Sequence, residues 1–192
     1  MKEDKRMPVY KHGKQKETID LETFRRWIRK LDGSPQPLRD KSLLAFLYWF
    51  GVRKEEALER VKEDFSVKGG IMTVNAPPMK SGERPPLEIP ADLPFVNLII
   101  KQVEETKPRQ RVWPISPVTA WRIVKKVSER HYPHFFRLNR ATQFLNDPEI
   151  TIPQVKTWFA WKRIETVNKY IGYSKRHIRQ MAPRLRNEVE KP

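Results

Sequence analysis

The sequence contains no cysteine, which excludes disulfides, thiolate catalysis and the usual zinc modules. No run of about 18 apolar residues occurs, so no membrane-spanning helix is expected. The opening, MKEDKRMPVYKHGKQK, has no apolar core and predicts no secretory signal. Neither an internal repeat nor a low-complexity tract interrupts the chain. Acidic charge is scarce beside basic charge: 23 Asp and Glu stand against 39 Lys and Arg, a net charge of +16. That imbalance is extreme for an enzyme of small molecules and points to a polyanion as partner. The basic residues run through segments that also carry Trp, Phe and Tyr, so they decorate a folded surface, and nucleic acid is expected ahead of membrane. A soluble, intracellular protein is expected. Its Lys-rich and Glu-rich composition is compatible with a thermophilic source.

A length of 192 residues suits one domain with a real core and a short arm. Residues 1–16 are polar and basic without periodicity and read as an arm or linker remnant. Ile19, Leu21, Phe24, Trp27, Ile28 and Leu31 have the spacing of an amphipathic helix, with Asp20 as cap and Gly33 beyond its end. Residues 39–50 are apolar on nearly every side, the pattern of a buried central helix that Gly51 ends. A further helix is expected over Glu55 to Val61, which sets Arg53 at a rigid junction. The segments FSV, IMTV and PLEIP, separated by a Gly69-Gly70 turn and a KSGE turn carrying Lys80, predict a small antiparallel sheet. Helices are then expected from Ser116-Pro117 through Arg130, and at about 137–146, 153–163 and 165–171, with Gly172 after the last. The fold class is α+β: mainly α with a small antiparallel β-sheet.

Four features then line up. The apolar helix runs into FLYWFGVRKEEALERV, giving Gly51, Arg53 and Glu56. Lys80 follows on a turn in MKSGERPPLEIP. PHFFRLNRATQFL supplies His134 and Arg137, and Trp161 lies nine residues before Tyr170. In order, spacing and residue type this resembles the catalytic domain of the tyrosine recombinases, or phage-type integrases, over roughly residues 17–175, with residues 176–192 as a basic tail. The resemblance implies a site-specific recombinase or integrase that acts on double-stranded DNA through a 3′-phosphotyrosyl intermediate, in a prokaryotic or viral, nucleoid-associated setting. It implies a catalytic set of Arg53, Lys80, His134, Arg137, Trp161 and Tyr170, and a tetramer on DNA.

The chemistry accounts for these residue types. A phosphodiester repels a nucleophile and gains charge in its five-coordinate transition state, so two guanidinium forks at the nonbridging oxygens would favour attack. Tyr170 would displace the 5′ oxygen, and neither ATP nor a metal is needed, so no cofactor is expected. His134 can donate to the phosphate or accept the tyrosine proton. By resemblance, Lys80 is the general acid for the leaving oxygen. Trp161 can give one indole N–H and shape the pocket. Arg140, Lys162 and Arg163 are further candidates for contact with DNA.

Plainer readings stand beside these. Arg53 can be an ion-pair partner of Glu55 or Glu56, Trp161 can be core, Lys68 rivals Lys80, and Tyr173 rivals Tyr170. His131 and His134 are spaced like metal ligands, but Tyr132-Pro133 breaks the helix that would present them and no Asp, Glu or Cys completes a set. Leu138 stands where the family often has His, and too few residues precede Asp20 for the N-terminal domain of typical members. A fragment, a minimal form, or a separate clamping domain or accessory protein is therefore expected. A type IB topoisomerase-like nicking and resealing enzyme, or a noncatalytic DNA-binding regulator of the same fold, remain the alternatives.

Overall fold

The computed structural model describes residues 18–79, 83–163 and 165–168. The expectations for the arm, for Lys80, for Tyr170 and Tyr173 and for the tail therefore fall outside the described residues.

Helix α1, Leu21–Arg29, starts where the Asp20 carboxylate accepts from the Thr23 N–H at 2.7 Å, which satisfies one of the free donors of the first turn. It buries Phe24, Trp27 and Ile28, the stripe the spacing predicts. Just before it, Ile19 is held on both sides: its N–H donates to Asn139 Oδ1 at 2.9 Å and its carbonyl accepts from Gln143 Nε2 at 3.2 Å. Helix α2, Pro37–Phe50, is the central rod, with residues buried all round it from Leu43 to Phe50 apart from Trp49. Gly51 ends α2 in the left-handed region at φ 59°, where its N–H caps the Leu47 carbonyl. Helix α3, Lys54–Leu58, is shorter than expected because Val61 leaves the helix to form a β-bridge with Arg111, and a 3₁₀ turn, Lys62–Asp64, follows.

The sheet has strand order β1-β2-β3, all antiparallel: β1 Phe65–Lys68, β2 Ile71–Val74 and β3 Leu87–Pro90. Gly69 and Gly70 both take positive φ, the requirement of a tight two-residue hairpin turn. Met72, Val74, Leu87 and Ile89 face the core. Helix α4, Val96–Glu105, is not anticipated by the sequence reading, yet it packs along α2 and buries Val96 and Ile99.

Helix α5, Pro117–Val127, is capped by the Ser116 hydroxyl and stops before the expected Arg130. Helix α6, Pro133–Asn146, opens on Pro133 and packs against α2. It starts four residues earlier than expected, and so brings His134 and Arg137 onto one helix, a turn apart. Helix α7, Ile152–Trp158, is capped reciprocally by Thr151 and Gln154 and ends well before residue 163. The short helix α8 covers Glu165–Asn168. A main core surrounds α2, and a second cluster of Ala141, Val155, Phe159, Trp161 and Val167 joins it at Trp158. Among the described residues no helix is long and apolar enough to cross a membrane.

Candidate active site

Arg53 caps α3 directly after the α2 turn, where short connections to buried helices leave it little freedom. Its Nη1 donates to Glu56 Oε1 at 2.7 Å and its backbone N–H to Glu56 Oε2 at 3.1 Å. The Arg53 side chain keeps 32% exposure while Glu56 has none, so the pair faces outward through the arginine. The ion-pair reading of Arg53 and the reading as an outward-facing cation thus hold together.

Across from it, the first turn of α6 presents the exposed His134, and the two side chains line an open cavity of about 270 Å³ with Lys54, Glu55, Trp121 and Tyr132. Desolvation lowers the His134 pKa below its ordinary 6.5, the guanidinium groups of Arg137 and Arg53 lower it further, and Glu55 opposes them. Near neutral pH the imidazole is therefore uncharged, able to accept a proton at one nitrogen and donate from the other.

Arg137, one turn along α6 from His134, is buried, at 1% exposure. Its Nη1 donates to the Gly51 carbonyl at 3.3 Å and its Nη2 to the Phe159 carbonyl at 2.7 Å. Its guanidinium also stacks over Phe159 at 4.8 Å and Trp161 at 5.8 Å. Arg137 thus ties the α2–α3 junction to the segment that carries Trp161. It lowers the pKa of both Glu56 and His134, which puts Arg53, His134 and Arg137 within one electrostatic neighbourhood.

Trp161 is buried, stacks on Phe159 at 4.9 Å and follows a turn in which Ala160 takes a positive φ. Its placement is that of a core aromatic under the Arg137 guanidinium. Lys162 and Arg163, next along the chain, are exposed.

Arg140, expected as a further candidate for contact with DNA, is drawn inward in the structure. It is 8% exposed, its Nε and Nη2 both donate to the Tyr48 carbonyl at 3.1 and 2.9 Å, and it is enclosed by Tyr48, Trp49 and Phe144. Burial brings its pKa down to about 10, still charged at neutral pH. The guanidinium is thus held against a buried carbonyl and three aromatic faces, away from the residues that line the Arg53 and His134 cavity. Its position one turn beyond Arg137 on a helix packed against α2 explains this, and the sequence shows the spacing but not which face is inward.

His131 is likewise part of the packing: Nδ1 lies 2.6 Å from Ser128 Oγ and the ring leans on Phe135 at 3.9 Å. Among the described residues no group of His, Cys, Asp or Glu could hold a metal ion.

Two features of the site escape the sequence reading. Trp121 and Tyr132 are exposed aromatic walls of the cavity, on α5 and at the cap of α6. Arg84 reaches Glu56 from behind, with Nη2 donating to Oε2 at 3.2 Å. No spacing rule marks Arg84, because its partner is 28 residues away.

The family model for the phage integrase family matches residues 17–177. The chain belongs to the phage integrase family. Solved structures of similar fold include the XerH site-specific recombinase bound to difH substrate, with TM-score 0.65 and 15% identity over 86% of this chain. XerA recombinase is similar at TM-score 0.62 and 15% identity over 88% of the chain. The Tn1549 transposon integrase in complex with transposon right-end DNA is similar at TM-score 0.65 and 14% identity over 92%. This integrase-family chain spans 52%, 65% and 68% of those three chains respectively. No curated protein matches the chain closely enough to compare.

Proposed function

We propose that this chain breaks and rejoins DNA strands at specific sites as a tyrosine recombinase or integrase, through a phosphotyrosyl link formed by Tyr170. The observation that carries the reading is the meeting of Arg53 and His134 at one cavity, with Arg137 one turn along the His134 helix and near enough to lower the His134 pKa, in a chain of the phage integrase family. XerH and the Tn1549 integrase, which share the fold, are seen in complexes with DNA. The net charge of +16 fits the same polyanion.

In this reading the scissile phosphate occupies the cavity. Arg53 meets a nonbridging oxygen, and Arg137 adds positive potential and braces the α2–α3 junction through the Gly51 carbonyl. The Tyr170 oxygen bonds to phosphorus as the bond from phosphorus to O5′ breaks. The phenol proton passes to His134 or to solvent, and Lys80 gives a proton to O5′. Reversal with a second strand's 5′-hydroxyl rejoins the backbone without ATP. Lys162 and Arg163 meet the flanking backbone. A tetramer on DNA, and a clamping domain or accessory protein on the duplex's other face, complete the assembly.

Incubation with a nicked substrate that loses its cleaved fragment tests this. The wild-type chain forms an adduct resistant to denaturant, whose peptide map ends at Tyr170, and Tyr170→Phe forms none. An adduct that persists in Tyr170→Phe overturns the assignment. Relaxation of a single supercoiled duplex without exchange between two sites would instead favour a topoisomerase-like enzyme. DNA binding with no adduct at all would favour a regulator.

A further inference from the structure

Glu56 has two carboxylate oxygens and three donors around it, and the way they are divided decides how Arg53 faces the cavity. Oε1 takes the Arg53 side chain, and Oε2 takes the Arg53 backbone and Arg84 Nη2. Were Arg84 absent, Oε2 would be open to a second donor of the Arg53 fork, and a bidentate pair would turn that guanidinium inward. The Arg84 side chain has no exposure, so it cannot reach a substrate. It is anchored at its other end, where Nε donates to the Ala76 carbonyl at 2.7 Å and Nη2 bonds the same oxygen. That carbonyl follows the exit of β2, so the guanidinium braces α3 against the sheet. Its Nη1 is buried with no partner among the described residues, so the space is not filled in the way that best satisfies polar groups. Charge points the same way: two guanidiniums share one carboxylate, which leaves the array positive where a lone Arg53–Glu56 pair would be neutral.

We infer that Arg84 is a positioning residue of the active site, which by occupying Glu56 Oε2 keeps the Arg53 guanidinium singly bonded to Glu56 and its remaining donors turned toward the reacting phosphate. The inference rests on the reading of Arg53 as a phosphate ligand.

A double-mutant cycle in the full chain tests it, with the rate of covalent adduct formation as readout and thermal melting as the check on folding. Arg84→Met and Arg53→Ala are each expected to slow adduct formation by about 10²-fold. Together they are expected to slow it little more than Arg53→Ala alone, because Arg84 acts through Arg53. Arg60→Met is the structural control. Arg60 is also buried and donates to the Glu56 backbone carbonyl at 2.8 Å, but it does not touch that carboxylate, so its effect should multiply independently with that of Arg53→Ala. Multiplicative losses for Arg84→Met and Arg53→Ala, or an unchanged rate in a folded Arg84→Met chain, overturn the inference while leaving the reading of the site intact. An Arg53→Ala chain as fast as wild type removes that reading and the inference with it. Should Arg84→Met not melt cooperatively, Arg84→Lys supplies the same cycle, since an ammonium keeps the charge but cannot span Ala76 and Glu56 as the fork does.

Discussion

Glu56 lies fully buried behind Arg53, where burial alone would push its pKa up; the charge of Arg84 and hydrogen bonds from Arg53 outweigh this and hold it below the ordinary 4.5. A carboxyl group whose folded pKa is depressed contributes stability that is fully present above its unfolded value and is lost as pH falls through the folded value. Glu56→Gln is therefore expected to destabilise the chain by roughly 3 kcal/mol at neutral pH, because it leaves two cations without their counter-charge. The gap from wild type should close as pH falls below 4.5. Denaturant unfolding of both chains across pH measures this, and a gap independent of pH would mean that the carboxylate charge is not what holds the array. The acid three residues after Arg53 was legible in the sequence as part of a motif. Its second partner was not, because a contact over 28 residues leaves no periodicity to read.

Among the elements, the junction of α2 and α3 sets the geometry of the site, and Gly51 is its tightest point. A Cβ at Gly51 would lie 2.8 Å from Arg140 Cβ and 3.1 Å from Phe159 Cε1, on a backbone already at φ 59°. Gly51→Ala is thus expected to cost about 2–4 kcal/mol, from a left-handed Cβ and from overlap in a packed core. The shift in urea midpoint measures it. Because the Gly51 carbonyl accepts from Arg137, adduct formation should fall as well. A midpoint equal to wild type would show that α6 gives way freely. The ends of α1 and α2 were legible because Asp20 and Gly51 act within a turn of their own helices. Helix α4 was not, since it opens on Phe95 with no side-chain cap and draws its order from packing on α2. The early start of α6 was a related miss. Pro133 was read as a break between two histidines, whereas proline in a first helical turn is as much a beginning.

Taken as one body, the chain carries its net charge of +16 around a core that has α2 at its centre, with the Arg53 and His134 cavity open at the surface. Binding to a DNA duplex is expected to be dominated by phosphate contacts. Neutralising six phosphates would cost about 10³-fold in affinity between 50 and 200 mM salt. Titration of a labelled duplex over that range checks this, and a flat dependence would contradict a phosphate-led interface. The residue types and their intervals were enough to place the chain among the integrases, to require a mainly helical domain with a small sheet, and to nominate Arg53, His134 and Arg137, because motif spacing and helix periodicity are properties of neighbouring residues. Which arginines stay partly exposed and which are buried was settled by packing. Arg137 and Arg140 look alike along α6, yet one donates to the Gly51 and Phe159 carbonyls and the other to the Tyr48 carbonyl, and Arg84 joins the site only because the sheet folds back onto α3. Burial and long-range hydrogen bonds arise from surfaces meeting in space, and a linear order of residues does not encode them locally.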